Sequence, residues 1–298
     1  MHMATPKPND SAAAPHAARS DLVVQASDIA TPDLKELARM TGATGIVALD
    51  RAATQAFRLL QPARLEPIAA FCARVGLDHG LVPADQRLEH VRLVAMDMDS
   101  TLITIECIDE IADLRGIKPQ VAAITASAMR GEIDFRESLR QRVALLAGLD
   151  VGALQRVYDE RLRLSPGAER MLAGFKRAGT KTLLISGGFT FFTDRLKARL
   201  GLDHVLANTL QISGGKLTGR IEGDIVDANA KAAEVERIGS ALPGNDGLIA
   251  ALGDGANDLP MLAHADVSFA YRAKPVVRAK ATYAIDHCGL DAALNLFA

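Results

Sequence analysis

Four groups of residues have types and spacings suited to chemistry. Asp97 and Asp99 flank Met98 in Asp97-Met98-Asp99-Ser100-Thr101, directly after the apolar run Leu93-Val94-Ala95-Met96. Two carboxylates two residues apart at a strand end can both reach one pocket as the chain leaves a sheet; alone, the pair also reads as a turn stabilised by Asp side chains. Ser186-Gly187-Gly188 follows a second run, Thr182-Leu183-Leu184-Ile185, and can offer a hydroxyl and backbone N–H groups to an anion. Lys231 has Asn229 two residues before it; on its own such a lysine reads as a surface helix residue. Gly253-Asp254-Gly255-Ala256-Asn257-Asp258 ends a third run, Leu248–Leu252, with hard oxygen ligands of the kind Mg²⁺ prefers. Ser213-Gly214-Gly215-Lys216 is not a phosphate-binding loop, because Leu217 stands where Ser or Thr is required and the upstream Gly is missing.

The elements that must position these groups are legible from pattern. Continuous apolar runs suit strands buried on both faces. Between them lie helices: one from Ser165-Pro166 to near Gly179, one over Phe191–Leu200 stopping at Gly201, and one around Lys231. Strands alternating with helices predict an α/β fold with a parallel, doubly wound sheet, in which ligands bind outside the carboxyl ends of the strands. The polar clusters sit at those ends and so can converge. The segment from Glu106 to about Leu164 holds only helical patterns, punctuated by Gly116, Gly131 and Gly148. It reads as a helical cap inserted over the strand ends. Gln211–Glu222 reads as a β-hairpin with its tip at residues 213–216.

Before residue 89 the pattern is different. Residues 1–20, rich in Ala and Pro with no apolar core, read as a flexible leader without a secretory signal. Residues 21–88 read as a small accessory or regulatory α/β domain. It has strands at Leu22–Val24 and Gly45–Leu49, a helix over Pro32–Met40 with Thr31 as N-cap, and another over Leu65–Val75 stopping at Gly76. His79 and His90 are isolated, and no catalytic constellation lies in this part. A chain beginning near Glu89 is therefore expected to retain the chemistry. With 49% hydrophobic and 23% charged residues, the composition is that of a globular protein. Residues 1–90 carry 9 basic and 10 acidic side chains, and residues 91–298 carry 25 and 26. This balance, and the absence of Trp, argue against a nucleic-acid partner. No run is long enough to span a membrane. Cys72, Cys107 and Cys288 form neither a disulfide framework nor a metal pattern, which fits a cytoplasmic protein.

Asp97-x-Asp99-Ser-Thr, a strand ending in Ser-Gly-Gly, a lone Lys231 and Gly253-Asp-Gly-x-Asn-Asp, in that order, resemble the haloacid dehalogenase superfamily of phosphotransferases over roughly residues 91–298, which implies a phosphatase domain over 89–298. Within it the chain resembles the phosphoserine phosphatase family. Glu106 stands nine residues after Asp97, at the family's ammonium-binding position. The stretch Asp134–Val143 resembles the cap helix whose Phe135 and Arg142 face the substrate. Met98 departs from the Phe or Val common at its position but is likewise apolar.

The resemblance implies Mg²⁺-dependent hydrolysis of O-phospho-L-serine, the last step of serine biosynthesis. It makes Asp97 the nucleophile that forms an aspartyl-phosphate, and Asp99 the acid and then the base. The carboxylates of Asp97 and Asp254 and the backbone carbonyl of Asp99 are the metal ligands it implies. Ser186, Gly187 and Lys231 bind phosphoryl oxygens, Asn257 orients substrate or water, and Asp258 supports Lys231 or the metal waters from behind. Arg136 and Arg140, on another face of the cap helix, are expected to be solvated. The partner is a small molecule, with a homodimer left open. Two alternatives stand beside this reading: a phosphatase of another small metabolite such as phosphohomoserine, and a non-catalytic amino-acid-binding regulator.

Overall fold

The computed structural model describes residues 20–243 and 247–298; apart from Ser20, the expected leader lies outside the described residues. The chain opens with β1 (Ser20–Ala26), α1 (Thr31–Thr41), β2 (Gly45–Leu49), β3 (Gln55–Leu60), α2 (Ile68–Val75) and β4 (Asp78–Pro83). The four strands form an antiparallel sheet in the order β2-β3-β1-β4. Strand alternation divides its side chains. Leu22, Val24 and Leu59 pack with Leu37 of α1 and Phe71 of α2, whereas Val23 and Val82 point the other way into the main core.

The remainder builds a seven-stranded sheet. β5 (Val91–Met96) is followed by four cap helices, α3 (Cys107–Leu114), α4 (Lys118–Met129), α5 (Phe135–Ala144) and α6 (Gly152–Arg156). Then come α7 (Ala168–Arg177), β6 (Lys181–Phe189), α8 (Thr190–Leu200), β7 (His204–Ser213), β8 (Lys216–Glu222), α9 (Ala228–Ala241) and β9 (Leu248–Gly253). The chain closes with α10 (Leu259–Ala263), β10 (Val267–Tyr271), α11 (Pro275–Arg278), β11 (Tyr283–Ile285) and a 3₁₀ segment over Leu290–Leu296. The strand order is β11-β10-β9-β5-β6-β7-β8, parallel except for the β7–β8 hairpin. Both faces are covered, as the continuous apolar runs require. Leu93, Ala95, Leu183, Ile185 and Ala251 pack with Val235 and Ile238 of α9 and with Met261 of α10. Val94, Met96, Leu184, Ala250 and Leu252 pack on the opposite side with Met171 and Phe175 of α7.

The helical insertion is tied down at two ends. At its base Ile103 pairs with Leu164, and Thr104 N–H donates to the Arg163 carbonyl at 3.0 Å. At its far side the β7–β8 hairpin grips it: Gly148 N–H donates to Leu217 O, and Leu217 N–H to Leu149 O, both at 2.8 Å. The hairpin turns through Gly214 and Gly215, both left-handed (φ 55° and 75°), as a two-residue turn between twisted strands demands.

Several boundaries differ from expectation. Ala30, not Thr31, caps α1, because Leu34 N–H already closes the first turn onto Ala30 O at 3.1 Å. α2 starts at Ile68 after a turn through Pro67. α7 starts at Ala168, since Gly167 precedes it in a left-handed conformation and Pro166 O accepts from Leu290 N–H at 2.7 Å. Strands β3, β4, β10 and β11 escaped the sequence reading; β4 contains Gly80 and ends at Pro83, residues that signal turns, and β11 spans only three residues.

The two sheets are packed directly on one another. A Cβ on Gly80 of β4 would lie 2.5 Å from the Tyr283 ring and 2.8 Å from Leu296, so only glycine lets the strand approach this closely. Asp78 accepts hydrogen bonds from the N–H groups of Asp286, His287 and Cys288. Arg58 donates to the Phe297 carbonyl at 2.6 Å.

Candidate active site

Where β5 ends, the backbone makes a wide turn. Leu102 N–H bonds to Asp97 O and Ile103 N–H to Met98 O, with Ser100 left-handed at φ 57°, an uncommon conformation for a side chain other than glycine. This turn sends the Met98 side chain into the core and places both Asp97 and Asp99 at the mouth of the sheet. β6 does not stop at Ser186 but continues to Phe189 with a bulge. Ile185 pairs with Leu206 and Phe189 with Asn208, so three residues of β6 face one of β7. The bulge turns Ser186, Gly187 and Gly188 toward the Asp97 turn. A Cβ on Gly188 would stand 2.9 Å from Asp99 Oδ2.

The carboxyl ends of β5, β6 and β9 and the inner face of the cap enclose a cavity of about 640 Å³. Its wall includes Asp97, Asp99, Ser186, Gly187, Asp254 and Asn257 from the sheet, and Glu106, Phe135 and Arg142 from the cap. Lys231 and Asp258 are not in that wall. Lys231 is fully buried beneath it, its Nζ 2.5 Å from Asp97 Oδ1 and 2.8 Å from Asp258 Oδ1. Asp258 also accepts from the backbone N–H of Asp254 (3.2 Å) and Gly255 (3.0 Å) and from Asn257 Nδ2 (3.3 Å). Its oxygens are thus engaged within the protein.

Burial sets the electrostatics. It pushes the Asp99 carboxyl up to about 7, with the nearby Glu106 charge adding to the effect. The carboxyl of Asp254 rises to about 6 through burial and the neighbouring Asp258. Burial, then Asp258, also raise Asp97 well above the ordinary range, with Lys231 opposing. For Lys231 burial disfavours the charge, but the carboxylates of Asp97 and Asp258 outweigh it and hold the ammonium protonated. Asp97 and Asp258 close on Lys231, with Asp99 and Asp254 nearby, so acidic groups outnumber the one ammonium and a bound cation would favour their charged forms. Oxygens of Asp97, Asp254 and Asp258 lie within 4.8 Å of one another. This hard-oxygen donor set fits a divalent cation, and Asp97 and Asp254, which face the cavity, are the members placed to take it.

Four features escaped the sequence reading. Asn208 bridges the β6 bulge to the chain before α9: its Nδ2 donates to Gly187 O and its Oδ1 accepts from Val226 N–H, both at 2.8 Å. Arg136 is not merely solvated, as expected, but pairs with Asp227 at 2.9 Å. Asp227 also caps α9 by accepting from the N–H groups of Asn229 and Ala230, which ties the cap to the helix carrying Lys231. Ser138 and Asp109 join the cavity wall from the cap. Ser100 Oγ holds Glu106 Oε1 at 2.7 Å, and Asp99 Oδ1 accepts from Cys107 N–H at 3.1 Å. Ser138 could have been found from its i+3 spacing to Phe135 on the cap helix; the others depend on a partner distant in the chain or on a turn geometry.

The family model for haloacid dehalogenase-like hydrolases matches residues 94–263, a segment that contains all four motif groups. The chain belongs to the haloacid dehalogenase-like hydrolases. It is an enzyme, a phosphatase of that family. A second family model, described only as a domain of unknown function, matches residues 22–66. The chain is 49% identical over 242 residues to a phosphoserine phosphatase from Polaromonas sp., covering 80% of this chain and 99% of that one. A solved structure of a probable phosphoserine phosphatase from Vibrio cholerae in unliganded form has TM-score 0.80 and 34% identity, over 94% of this chain and 86% of that one. At that coverage the likeness takes in the antiparallel sheet as well. A phospho-aspartyl intermediate analogue of a phosphoserine phosphatase has TM-score 0.64 and 37% identity, over 70% of this chain and 99% of that one.

Proposed function

We propose that this chain hydrolyses O-phospho-L-serine to L-serine and phosphate, with Mg²⁺ as its metal, and that it supplies the last step of serine biosynthesis in the cytoplasm. The observation that carries the reading is the cavity's division of labour. Two carboxylates and an anion-binding bulge form its floor, while the cap contributes an acid, Glu106, and a cation, Arg142. Those charges complement the ammonium and carboxylate of an amino acid. Among the described residues no helix is long and apolar enough to cross a membrane.

In the first step Asp97 attacks phosphorus. The phosphorus–oxygen bond to serine breaks, and the Asp99 proton passes to the departing serine oxygen. A carboxyl held at about 7 is about half protonated at neutral pH, which suits a group that gives a proton in one step and takes one in the next. In the second step Asp99 takes a proton from water, which attacks phosphorus and breaks the acyl-phosphate bond, restoring the Asp97 carboxylate and releasing phosphate. Ser186, the Gly187 N–H and Lys231 hold phosphoryl oxygens and follow the charge into the transition state. The contact of Lys231 with Asp97 supports this role, since a phosphoryl group on Asp97 would lie beside the ammonium. Asn257 orients substrate or water. Asp258 fixes Lys231 and the Asp254–Gly255 backbone. The Asp97 and Asp254 carboxylates and the Asp99 carbonyl would hold the divalent ion, whose charge would offset the repulsion between anionic nucleophile and anionic phosphate.

The test is phosphate release from O-phospho-L-serine, phosphohomoserine, phosphoethanolamine and O-phosphoglycolate, with and without Mg²⁺. Phosphoserine is expected to have the highest kcat/KM. Arg142→Ala should reduce turnover of phosphoserine by about ten- to a hundredfold, the worth of a charge-assisted hydrogen bond, and spare phosphoethanolamine, which has no carboxylate. Glu106→Gln should penalise substrates with an ammonium more than O-phosphoglycolate. Equal losses across substrates would assign both residues to cap closure and remove the case for an amino-acid substrate.

A further inference from the structure

We propose that Ser138 is a substrate-contacting, specificity-determining residue, whose hydroxyl donates to the same substrate carboxylate that Arg142 pairs with. The inference rests on the amino-acid reading of the cavity given above. On α5, Phe135, Ser138, Leu139 and Arg142 follow the i, i+3, i+4, i+7 spacing of one helical face, and all four stand in the cavity wall. Phe135 and Leu139 are apolar. Arg142 and Ser138 are therefore the polar groups this face offers a ligand.

Ser138 is 1% exposed, and its Oγ has no hydrogen-bond partner among the described residues. A buried serine in a helix commonly returns its hydroxyl to the carbonyl one turn back. Here the Asp134 carbonyl accepts only the helical backbone N–H of Ser138, at 3.0 Å, and the hydroxyl is unbonded. A buried hydroxyl without a partner is destabilising; of the buried unpartnered polar atoms among the described residues, Ser138 Oγ belongs to the residue that lines this cavity, where a water, an ion or a ligand can complete it. The same residue also steers its neighbour: Arg142 Nε donates to the Ser138 carbonyl at 3.3 Å. This anchors one edge of the guanidinium to the helix and leaves its terminal nitrogens for a carboxylate. Hydroxyl and guanidinium thus come from consecutive turns of one helix and make a two-point receptor for a planar anion. Substrate ammonium is left to Glu106, whose carboxylate Ser100 already holds.

Ser138→Ala removes the hydroxyl and nothing else, and alanine suits a helix interior. The variant and the parent enzyme would be compared with Mg²⁺ on O-phospho-L-serine and on phosphoethanolamine, the latter read as turnover or as competitive inhibition, together with the melting temperature. The expected result is a fall in kcat/KM for phosphoserine of about 10- to 100-fold, mainly through KM. Phosphoethanolamine should change less than twofold, and the melting temperature should be equal or higher because an unpaired hydroxyl has gone. An equal loss on both substrates, or no loss on phosphoserine, would overturn the assignment while leaving the phosphoserine reading intact. Failure of the parent enzyme to hydrolyse phosphoserine would overturn both.

Discussion

Deleting the antiparallel sheet by starting the chain at Glu89 removes no residue from the cavity wall, so motif position alone predicts a competent enzyme. The packing predicts an unfolded one. The cut takes away Asp78, which accepts from three consecutive backbone N–H groups at residues 286–288. It also removes Arg58 from the Phe297 carbonyl, and Arg51 from the carbonyls of Leu294, Phe297 and Ala298. Gln86, which donates to Tyr283 and to the Leu296 carbonyl and accepts from Ala298 N–H, is lost as well. So are the Gln25–Asn295 and Leu81–Tyr283 bonds. At about 1 kcal/mol net for each bond, this set amounts to roughly 10 kcal/mol. Uncovering Tyr283, Leu296 and Phe297, all buried, adds about 2 kcal/mol for each side chain. The sum matches or exceeds the roughly 5–15 kcal/mol by which domains are stable. The truncated chain is expected to lack a cooperative thermal transition by circular dichroism, to aggregate on size exclusion, and to release no phosphate. Asp78→Ala in the full chain is the milder version and should lower the melting temperature by several degrees without changing substrate preference. A truncated chain that stays monomeric, melts within about 5 °C of the full chain (the shift made by roughly 2 kcal/mol) and turns over substrate would refute the reasoning.

Asp97→Asn should abolish turnover while the protein remains folded, since the amide keeps the shape and can still accept from Lys231 but no longer attacks phosphorus; near-normal activity in the folded variant would exclude Asp97 as nucleophile. Asp99→Asn should bind Mg²⁺ as the parent does, because its ligand is a backbone carbonyl, and slow both chemical steps by about 10²–10⁴-fold. Asp254→Asn should weaken Mg²⁺ binding; isothermal titration giving the reverse pattern would exchange the two roles. Removing the metal with a chelator should stop phosphate release, and added Mg²⁺ should restore it. Burial pushes the Cys72 thiol up to about 12, and the thiols of Cys107 and Cys288 are raised too. A folded-state pKa above the unfolded value contributes stability that is complete below about pH 9 and is lost as pH rises toward 12. The melting temperature should accordingly decline above pH 9, and a thiol reagent at pH 8 should modify none of the three cysteines until the protein is unfolded.

What the sequence determined by itself was local or ordered along the chain. The apolar runs at 93–96, 182–185 and 248–252 announce strands covered on both faces, because a parallel sheet leaves neither face to water. The glycines at 214 and 215 announce the hairpin. The Asp97, Ser186 and Asp254 clusters directly follow the apolar runs and so stand at strand ends, which topology brings together, while Lys231 comes from a helix. Composition and spacing in one chain do not report the pairings that complete the site. The β6 bulge exists because β7 offers one residue against three, and Asn208 pins it from that strand. Lys231 reads as an exposed helix residue until two carboxylates, one 134 and one 27 residues away, close around it. Arg136 finds Asp227 across 91 residues, and the hydroxyl of Ser138 is buried without a partner in the folded protein. The docking of the antiparallel sheet onto residues 283–298 was invisible for the same reason. Periodicity tells which face of a strand is apolar, but which partner covers that face is decided by the free energy of the assembled fold.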